Sequence, residues 1–280
     1  MINRNSCAVI TPVYKSFTDL TNEELVNLKS SCKHLNSHPH VLFGPDTINW
    51  QEYIELYKSW GIAFDIKQFD SKYFIDLAGY NQLLKTFQFY EQFKAYQYIL
   101  IVQTDAYVFK DELAYWCSKR YDYIGAPWFK ESGLNKVGNE ISGVGNGGFS
   151  LRNVQSTIRL LKRINTLSAI RNFWFKSHLQ SLVRFEILIS FFRNYFKIKD
   201  SKRINDILKA PYLNEDYYLS QTLANIFSDY KVASVVDAVK FSFEVNPVFL
   251  YKMNNGQLPF GCHAWEKHDP QFWKSIILKD

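Results

Sequence analysis

Apolar positions in the first 110 residues come in short continuous runs separated by stretches of helical spacing, which predicts strands and helices in alternation. Ala8-Val-Ile-Thr-Pro-Val-Tyr14 reads as a first buried strand. Leu20 to Leu35 carries Leu25, Leu28 and Leu35 among polar residues, and Thr21-Asn-Glu-Glu24 offers a capping box, so a helix follows. Val41-Leu-Phe43, closed by Gly44-Pro45, is a second strand. Trp50 to Trp60 is helical, and Phe64 to Phe69 alternates like a half-buried strand. Tyr80 to Phe93 has helical spacing and leads into Tyr98-Ile-Leu-Ile-Val-Gln-Thr-Asp-Ala-Tyr-Val-Phe109. That run is apolar enough for a strand covered on both faces, yet it is interrupted at Gln103, Thr104 and Asp105. A carboxylate at the C-terminal end of a central strand is costly unless paired, hydrogen-bonded or bound to a cation, and ligands of open α/β sheets gather there. Asp105 is therefore expected to hold a metal-bound diphosphate.

After Tyr121-Asp-Tyr-Ile-Gly-Ala-Pro-Trp128 the regular alternation stops. Gly143-Val-Gly-Asn-Gly-Gly-Phe-Ser-Leu-Arg152 places glycines at 143, 145, 147 and 148, where the backbone can approach a ligand closely or simply turn tightly. It lacks the Lys-Ser or Lys-Thr ending of a P-loop and the spacing of a dinucleotide fingerprint. Glu215-Asp216 opens a helical stretch over 217–224, and two readings stay open: carboxylates that cap a helix, or a general base with a partner.

Composition excludes a disordered chain, with 47% hydrophobic and 17% aromatic residues over 280 positions. Four scattered cysteines without a CxxC pair imply free thiols in a reducing compartment. The N-terminal apolar stretch is too short for a signal peptide, and no run suffices to span a membrane, so a cytoplasmic location is expected. The net charge of +6 is uneven: residues 159–209 hold twelve Lys or Arg against three acids, leaving the remainder net negative. That distribution does not suit a nucleic-acid binder. Within the basic stretch, 184–199 interleaves cations with apolar and aromatic residues, which suits either an interfacial helix on anionic lipid at the inner membrane face or a helix with a solvated basic side.

Taken together, Gln103-Thr-Asp105, Asp122 to Trp128, Gly145 to Arg152, Asn214-Glu-Asp216 and Pro259-Phe-Gly-Cys-His263 resemble, in their order, a GT-A-type glycosyltransferase. The set is similar to a bacterial glycosyltransferase-like domain family and covers most of the chain apart from the basic insertion. The resemblance implies a Rossmann-like α/β/α sandwich with a mostly parallel sheet, as one catalytic domain over 1–280. Residues 1–110 would bind the nucleotide sugar, and 111–280 would form the acceptor side, with a basic helical insertion at about 159–209. It further implies an Asp-x-Asp role for Asp105, an acceptor-side role for Gly147 and Gly148, catalysis by Asp216 with Glu215, and metal ligation by His263 with Asp105.

Gln103 departs from that pattern, standing where the first aspartate of Asp-x-Asp usually is, and is expected to meet the donor ribose. An oxygen-rich site of this kind suits Mn²⁺ or Mg²⁺. Thr11, Pro12, Tyr14 and Thr104 complete the expected donor-binding group. Trp128 and Trp265 are either sugar-stacking faces or core residues. The expected activity is hexose transfer from a UDP-type donor to a glycan or lipid-linked glycan, as in polysaccharide biosynthesis, with inversion favoured. A carbohydrate-binding protein without turnover and a metal-dependent nucleotide-sugar hydrolase are the alternatives.

Overall fold

Strand β1 (Cys7–Pro12) has both faces buried, and so do β2 (His40–Pro45) and β4 (Tyr98–Val102); β3 (Phe64–Phe69), the sheet edge, is only partly covered. These four are parallel in the order β3-β2-β1-β4, seen in a computed structural model that describes residues 7–132, 136–177, 183–200, 203–204, 208 and 213–278. β9 (Phe149–Asn153) continues the sheet antiparallel to β4, and β6 (Tyr123–Ile124) pairs antiparallel with β9. The expected α/β sandwich with a mostly parallel sheet is what forms.

Alternation along each strand separates two core layers. Ala8, Ile10, Val41, Phe43, Ile99 and Ile101 face one side. There they meet α3 (Leu77–Leu84), α4 (Phe87–Glu91) and α6 (Val154–Lys176) through Leu84, Phe89 and Leu161. Cys7, Val9, Tyr98, Leu100 and Val102 face the other, against α5 (Leu113–Ser118) through Leu113 and Trp116. α1 (Asn22–His34) starts with the expected capping box, Thr21 and Glu24 exchanging bonds reciprocally, and α2 (Gln51–Ser59) packs Tyr53 and Tyr57 under β2.

Two sequence expectations need correction. The helix expected over 80–93 is two helices, because Lys85 and Thr86 interrupt it and the Thr86 hydroxyl caps the second. The apolar run 98–109 is two strands in different sheets: after β4 the chain turns at 103–105, and β5 (Ala106–Val108) joins β10 (Ser242–Phe243) and β11 (Gly261–His263). A hairpin of β7 (Pro127–Ser132) and β8 (Lys136–Val144) leads into the glycine-rich segment.

The four cysteines are buried and unpaired. Of the basic stretch, residues 178–182, 201–202, 205–207 and 209 lie outside the described residues. Its helices are the long α6 and two short ones, Phe185–Phe191 and Arg193–Phe196, and Ile198 beyond them bridges to Phe227. Among the described residues, no helix is long and apolar enough to cross a membrane.

Candidate active site

Residues 103–105 turn the chain at the C-terminal edge of the parallel sheet, with the Ala106 N–H donating to the Gln103 carbonyl at 3.0 Å. β5 then pairs antiparallel with β11, setting His263 opposite Ala106, and the Ala264 N–H donates to the Asp105 carbonyl at 2.9 Å. Two residues 158 positions apart in sequence are thereby brought together. His263 Nε2 lies 3.0 Å from Asp105 Oδ1 and 3.1 Å from Gln103 Oε1. Ala264 adopts φ +49°, a left-handed conformation that costs a residue bearing a Cβ roughly 1–2 kcal/mol. The strain sits at the turn that aims the imidazole.

A second carboxylate holds the other ring nitrogen. Glu244 Oε1 is 3.0 Å from His263 Nδ1, and the Asn146 amide donates to Glu244 Oε2. Its Nδ1–H donates to Glu244, which aims Nε2 at Gln103 and Asp105; a carboxylate in this place orients the imidazole of a metal-binding histidine. Asn146 can serve because it takes φ +72°, and its side-chain oxygen accepts from the Gly148 N–H at 2.8 Å. Gly148 lies opposite Gln103, whose N–H donates to the Gly148 carbonyl at 2.9 Å. A Cβ on Gly148 would stand 2.0 Å from His263 Nε2, so the glycine keeps open the space into which the donors converge.

Burial works against charge on both Asp105 and His263, and their mutual attraction overcomes it. The imidazole, with Lys267 Nζ at 3.5 Å adding to it, holds the Asp105 carboxyl down at about 2. Asp105 and Glu244 push His263 up to about 10.

On the other flank of the glycine segment, the Gly147 N–H donates to Asp216 Oδ2 at 2.9 Å. Asp216 is half-buried, and burial first, then the charge of Glu215, with Glu244 adding, raises its carboxyl to about 6. Glu215 turns the opposite way. Both its oxygens sit on the Arg152 guanidinium, at 2.7 and 2.9 Å, and both partners are buried. Arg152 also donates to the Tyr90 hydroxyl at 2.9 Å and lies over the Tyr123 ring. The expectation of Glu215 as an acceptor-contacting catalytic residue is therefore corrected: an ion pair shut inside the core has no face left for an acceptor. A Cβ on Gly147 would come within 2.4 Å of Glu215 Oε1, so that glycine lets the pair close beneath the backbone.

Several expected donor contacts are turned inward as well. Thr104 is 2% exposed and donates its hydroxyl to Glu24 Oε1 at 2.7 Å, while its carbonyl accepts from Asn27. Thr11 and Pro12 are covered within β1. Trp265 is fully buried with its indole N–H on Asn27 Oδ1 at 3.0 Å, a core residue rather than a sugar platform. These side chains shape the 103–105 turn from below. Tyr14 is exposed just past the end of β1, and Gln103 Nε2 reaches the Tyr80 hydroxyl at 3.5 Å. Trp128 is half-buried edge-on to Tyr217, the neighbour of Asp216, and Gly145 leaves room for its ring.

Sequence reading missed Glu244, Asn146 and Lys267. Asn146 lay within a quoted motif without a role. Glu244 and Lys267 stand among ordinary charged residues and carry no local signal.

Among the described residues there is no cluster of three His, Cys, Asp or Glu side chains arranged to hold a metal. Asp105 and His263 nevertheless fit a divalent ion when the Gln103 carbonyl is counted. Donors at right angles on an ion of about 2.1 Å bond length stand roughly 3 Å apart, and His263 Nε2 lies 3.0 and 3.1 Å from its two neighbours. Asp105 Oδ1 is buried and meets His263 Nε2 at 3.0 Å without a well-formed hydrogen bond, so a cation would take the place of the imidazole proton between them. Remaining positions would fall to ligand oxygens.

Residues 63–263 match a family described as "Protein of unknown function (DUF5672)". No curated protein matches the chain. Among solved structures, core-mannan synthase A (CmsA/Ktr4) from Aspergillus fumigatus, in its Mn/GDP form, is 11% identical over 81% of this chain and 72% of that one, with a TM-score of 0.47. A glycosyltransferase involved in glycosylation of the major capsid of PBCV-1 is 11% identical over 98% and 99%, TM-score 0.41. The mannosyltransferase Ktr4p from S. cerevisiae in complex with GDP is 11% identical over 46% of this chain, TM-score 0.36, and the match spans 41% of the yeast chain.

Proposed function

We propose that this chain, which belongs to the DUF5672 family, is a glycosyltransferase that moves a hexose from a nucleoside diphosphate donor, a UDP-sugar, to a glycan or lipid-linked glycan. The observation that carries the reading is the convergence of Gln103, Asp105 and His263 on the space kept open by Gly148, at the sheet edge where α/β proteins bind ligands. Asp216 flanks the same glycine segment. The Mn/GDP form of the Aspergillus synthase is in keeping with a divalent ion here, Mn²⁺ or Mg²⁺.

In this reading Asp105 and His263 would hold the ion together with the Gln103 side-chain oxygen, and Glu244 orients the imidazole. A divalent ion so held supplies positive charge to a departing diphosphate. Lys267, on the outer side of Asp105, adds to that field. The acceptor hydroxyl oxygen bonds to the anomeric carbon as the bond from that carbon to the phosphate oxygen breaks, its electron pair leaving with the diphosphate. Asp216 takes the hydroxyl proton. A carboxyl raised to about 6 is suited to this, since a base works best with a pKa near the operating pH. A single displacement of this kind inverts the anomeric centre. Tyr14 would lie along the nucleobase and Trp128 along a sugar.

The test is a transfer assay over a panel of nucleotide sugars and glycan acceptors, with and without Mn²⁺, comparing the parent with Asp105→Asn. Turnover should fall on the order of a hundredfold or more and lose its response to the ion. His263→Ala should behave alike, whereas Gln103→Ala, which removes a neutral ligand, should raise the donor KM and the ion concentration needed for activity with a smaller effect on turnover. An Asp105→Asn protein with parental activity would sink the reading. Donor cleavage without transfer to any acceptor would instead identify a nucleotide-sugar hydrolase, and binding without turnover a carbohydrate-binding protein.

A further inference from the structure

We propose that the helical segment 185–196 docks the protein on an anionic lipid surface. Its two short helices, Phe185–Phe191 and Arg193–Phe196, are joined at Phe192, whose carbonyl accepts from the Phe196 N–H at 3.0 Å. The first presents two apolar faces. Phe185 and Ile189, one turn apart, are buried against the core, where the Phe185 ring lies 5.6 Å from that of Trp174. Ile187 and Phe191, also one turn apart, point away from them at 49% and 77% exposure. Tyr195, in the second helix, is 80% exposed, and Phe192 between the two helices is 45% exposed. An isolated exposed apolar residue is ordinary, but four exposed ones, Ile187, Phe191, Phe192 and Tyr195, within so short a segment are not.

The charge around this patch selects its occupant. Residues 184–199 contain Arg184, Arg193, Lys197 and Lys199 against one acid, Glu186, which sits 3.7 Å from Arg184. Arg184 has 82% of its side chain exposed, and Lys197 is exposed at the helix end. The centre of a protein–protein interface is depleted of charge, whereas the headgroup region of a bilayer accepts aromatic side chains and basic ones side by side. Phe, Ile and Tyr would enter the acyl boundary while Arg184 and Lys197 meet anionic headgroups; Arg193 and Lys199 donate to backbone carbonyls and hold the segment in place. This inference rests on surface residues and does not depend on the chemistry proposed for the active site.

Co-sedimentation with vesicles tests it, using phosphatidylcholine alone and phosphatidylcholine mixed with phosphatidylglycerol. The protein should bind the mixed vesicles roughly tenfold or more tightly than the neutral ones, and high salt should weaken that binding. Phe191→Ser combined with Tyr195→Ser should lose most of the binding while keeping the parental melting temperature, because both side chains are exposed. Arg184→Gln should weaken binding by about fivefold. Failure of the parent to bind anionic vesicles, or binding unchanged in the double variant, would overturn the proposal. So would a concentration-dependent dimer in light scattering that the double variant abolishes without any vesicle binding, which would assign the patch to a second copy.

Discussion

Gly148 has room for a hydrogen and nothing larger, since a Cβ there would stand 2.0 Å from His263 Nε2. Gly148→Ala should therefore push the imidazole away from Gln103 and Asp105 while leaving the fold intact. Scanning fluorimetry should show no added stabilisation by Mn²⁺ with a nucleotide sugar, and turnover should fall by about a hundredfold. Asp216→Asn separates two roles of one carboxylate. Its pKa rises from 3.8 to about 6 in the folded protein, so the native state favours the protonated form. That contribution to stability is present below the unfolded value and is lost as pH rises through about 6. An amide does not titrate and still accepts from the Gly147 N–H. At pH 7 the variant should gain about 1–2 kcal/mol over the parent, after discounting for the part of Asp216 that solvent reaches, and should show no gain near pH 4. Urea unfolding at the two pH values reads this directly. Transfer should meanwhile drop on the order of a hundredfold; an active variant would leave Asp216 as a structural tie only.

Among elements, the Arg152–Glu215 pair joins β9 to the helical stretch that starts at Glu215, with Tyr90 of α4 as a third member. Breaking a buried pair leaves one charge without a partner, so Glu215→Ala should cost about 3–5 kcal/mol. For a chain of this size, that lowers the melting temperature by roughly 6–20 °C. Arg152→Met together with Glu215→Leu should recover most of the loss, because apolar side chains of similar volume replace such pairs well. A thermal double-mutant cycle measures the coupling. If Glu215→Ala melted like the parent, the pair would not be what positions Asp216. The β5–β11 pairing is the corresponding device on the other flank, setting His263 beside Asp105 through backbone bonds alone.

For the whole molecule, the site is assembled from both halves of the chain, so a donor that binds it should stabilise the folded protein as a unit. At a hundred times its dissociation constant a ligand adds about 2.7 kcal/mol, which corresponds to a melting shift of roughly 5–10 °C. The shift should need both the nucleotide sugar and the divalent ion, and should vanish in Asp105→Asn. The opposite response, an equal shift with the sugar alone, would place donor binding away from the Asp105–His263 pair.

Sequence patterning determined the elements and the architecture. Continuous apolar runs at β1, β2 and β4, alternation at β3 and the Thr21–Glu24 capping box are local signals, created by each segment's own need to bury one side or both and to satisfy its first N–H groups. Asp105 was legible for the same reason, as a charge where an apolar strand should have continued. Tertiary structure alone decided the company these residues keep. Glu215 and Asp216 are adjacent and chemically alike, yet one is sealed on Arg152 and the other rests half-exposed on Gly147; a helix start permits both directions, and only the position of β9 selects between them. Trp265 could not be told from a sugar platform until Asn27, 238 positions away, was found on its indole N–H. Glu244 became visible only when β11 carried His263 to it. Burial and pairing of polar groups depend on neighbours distant in sequence, and hydrophobic periodicity does not encode them.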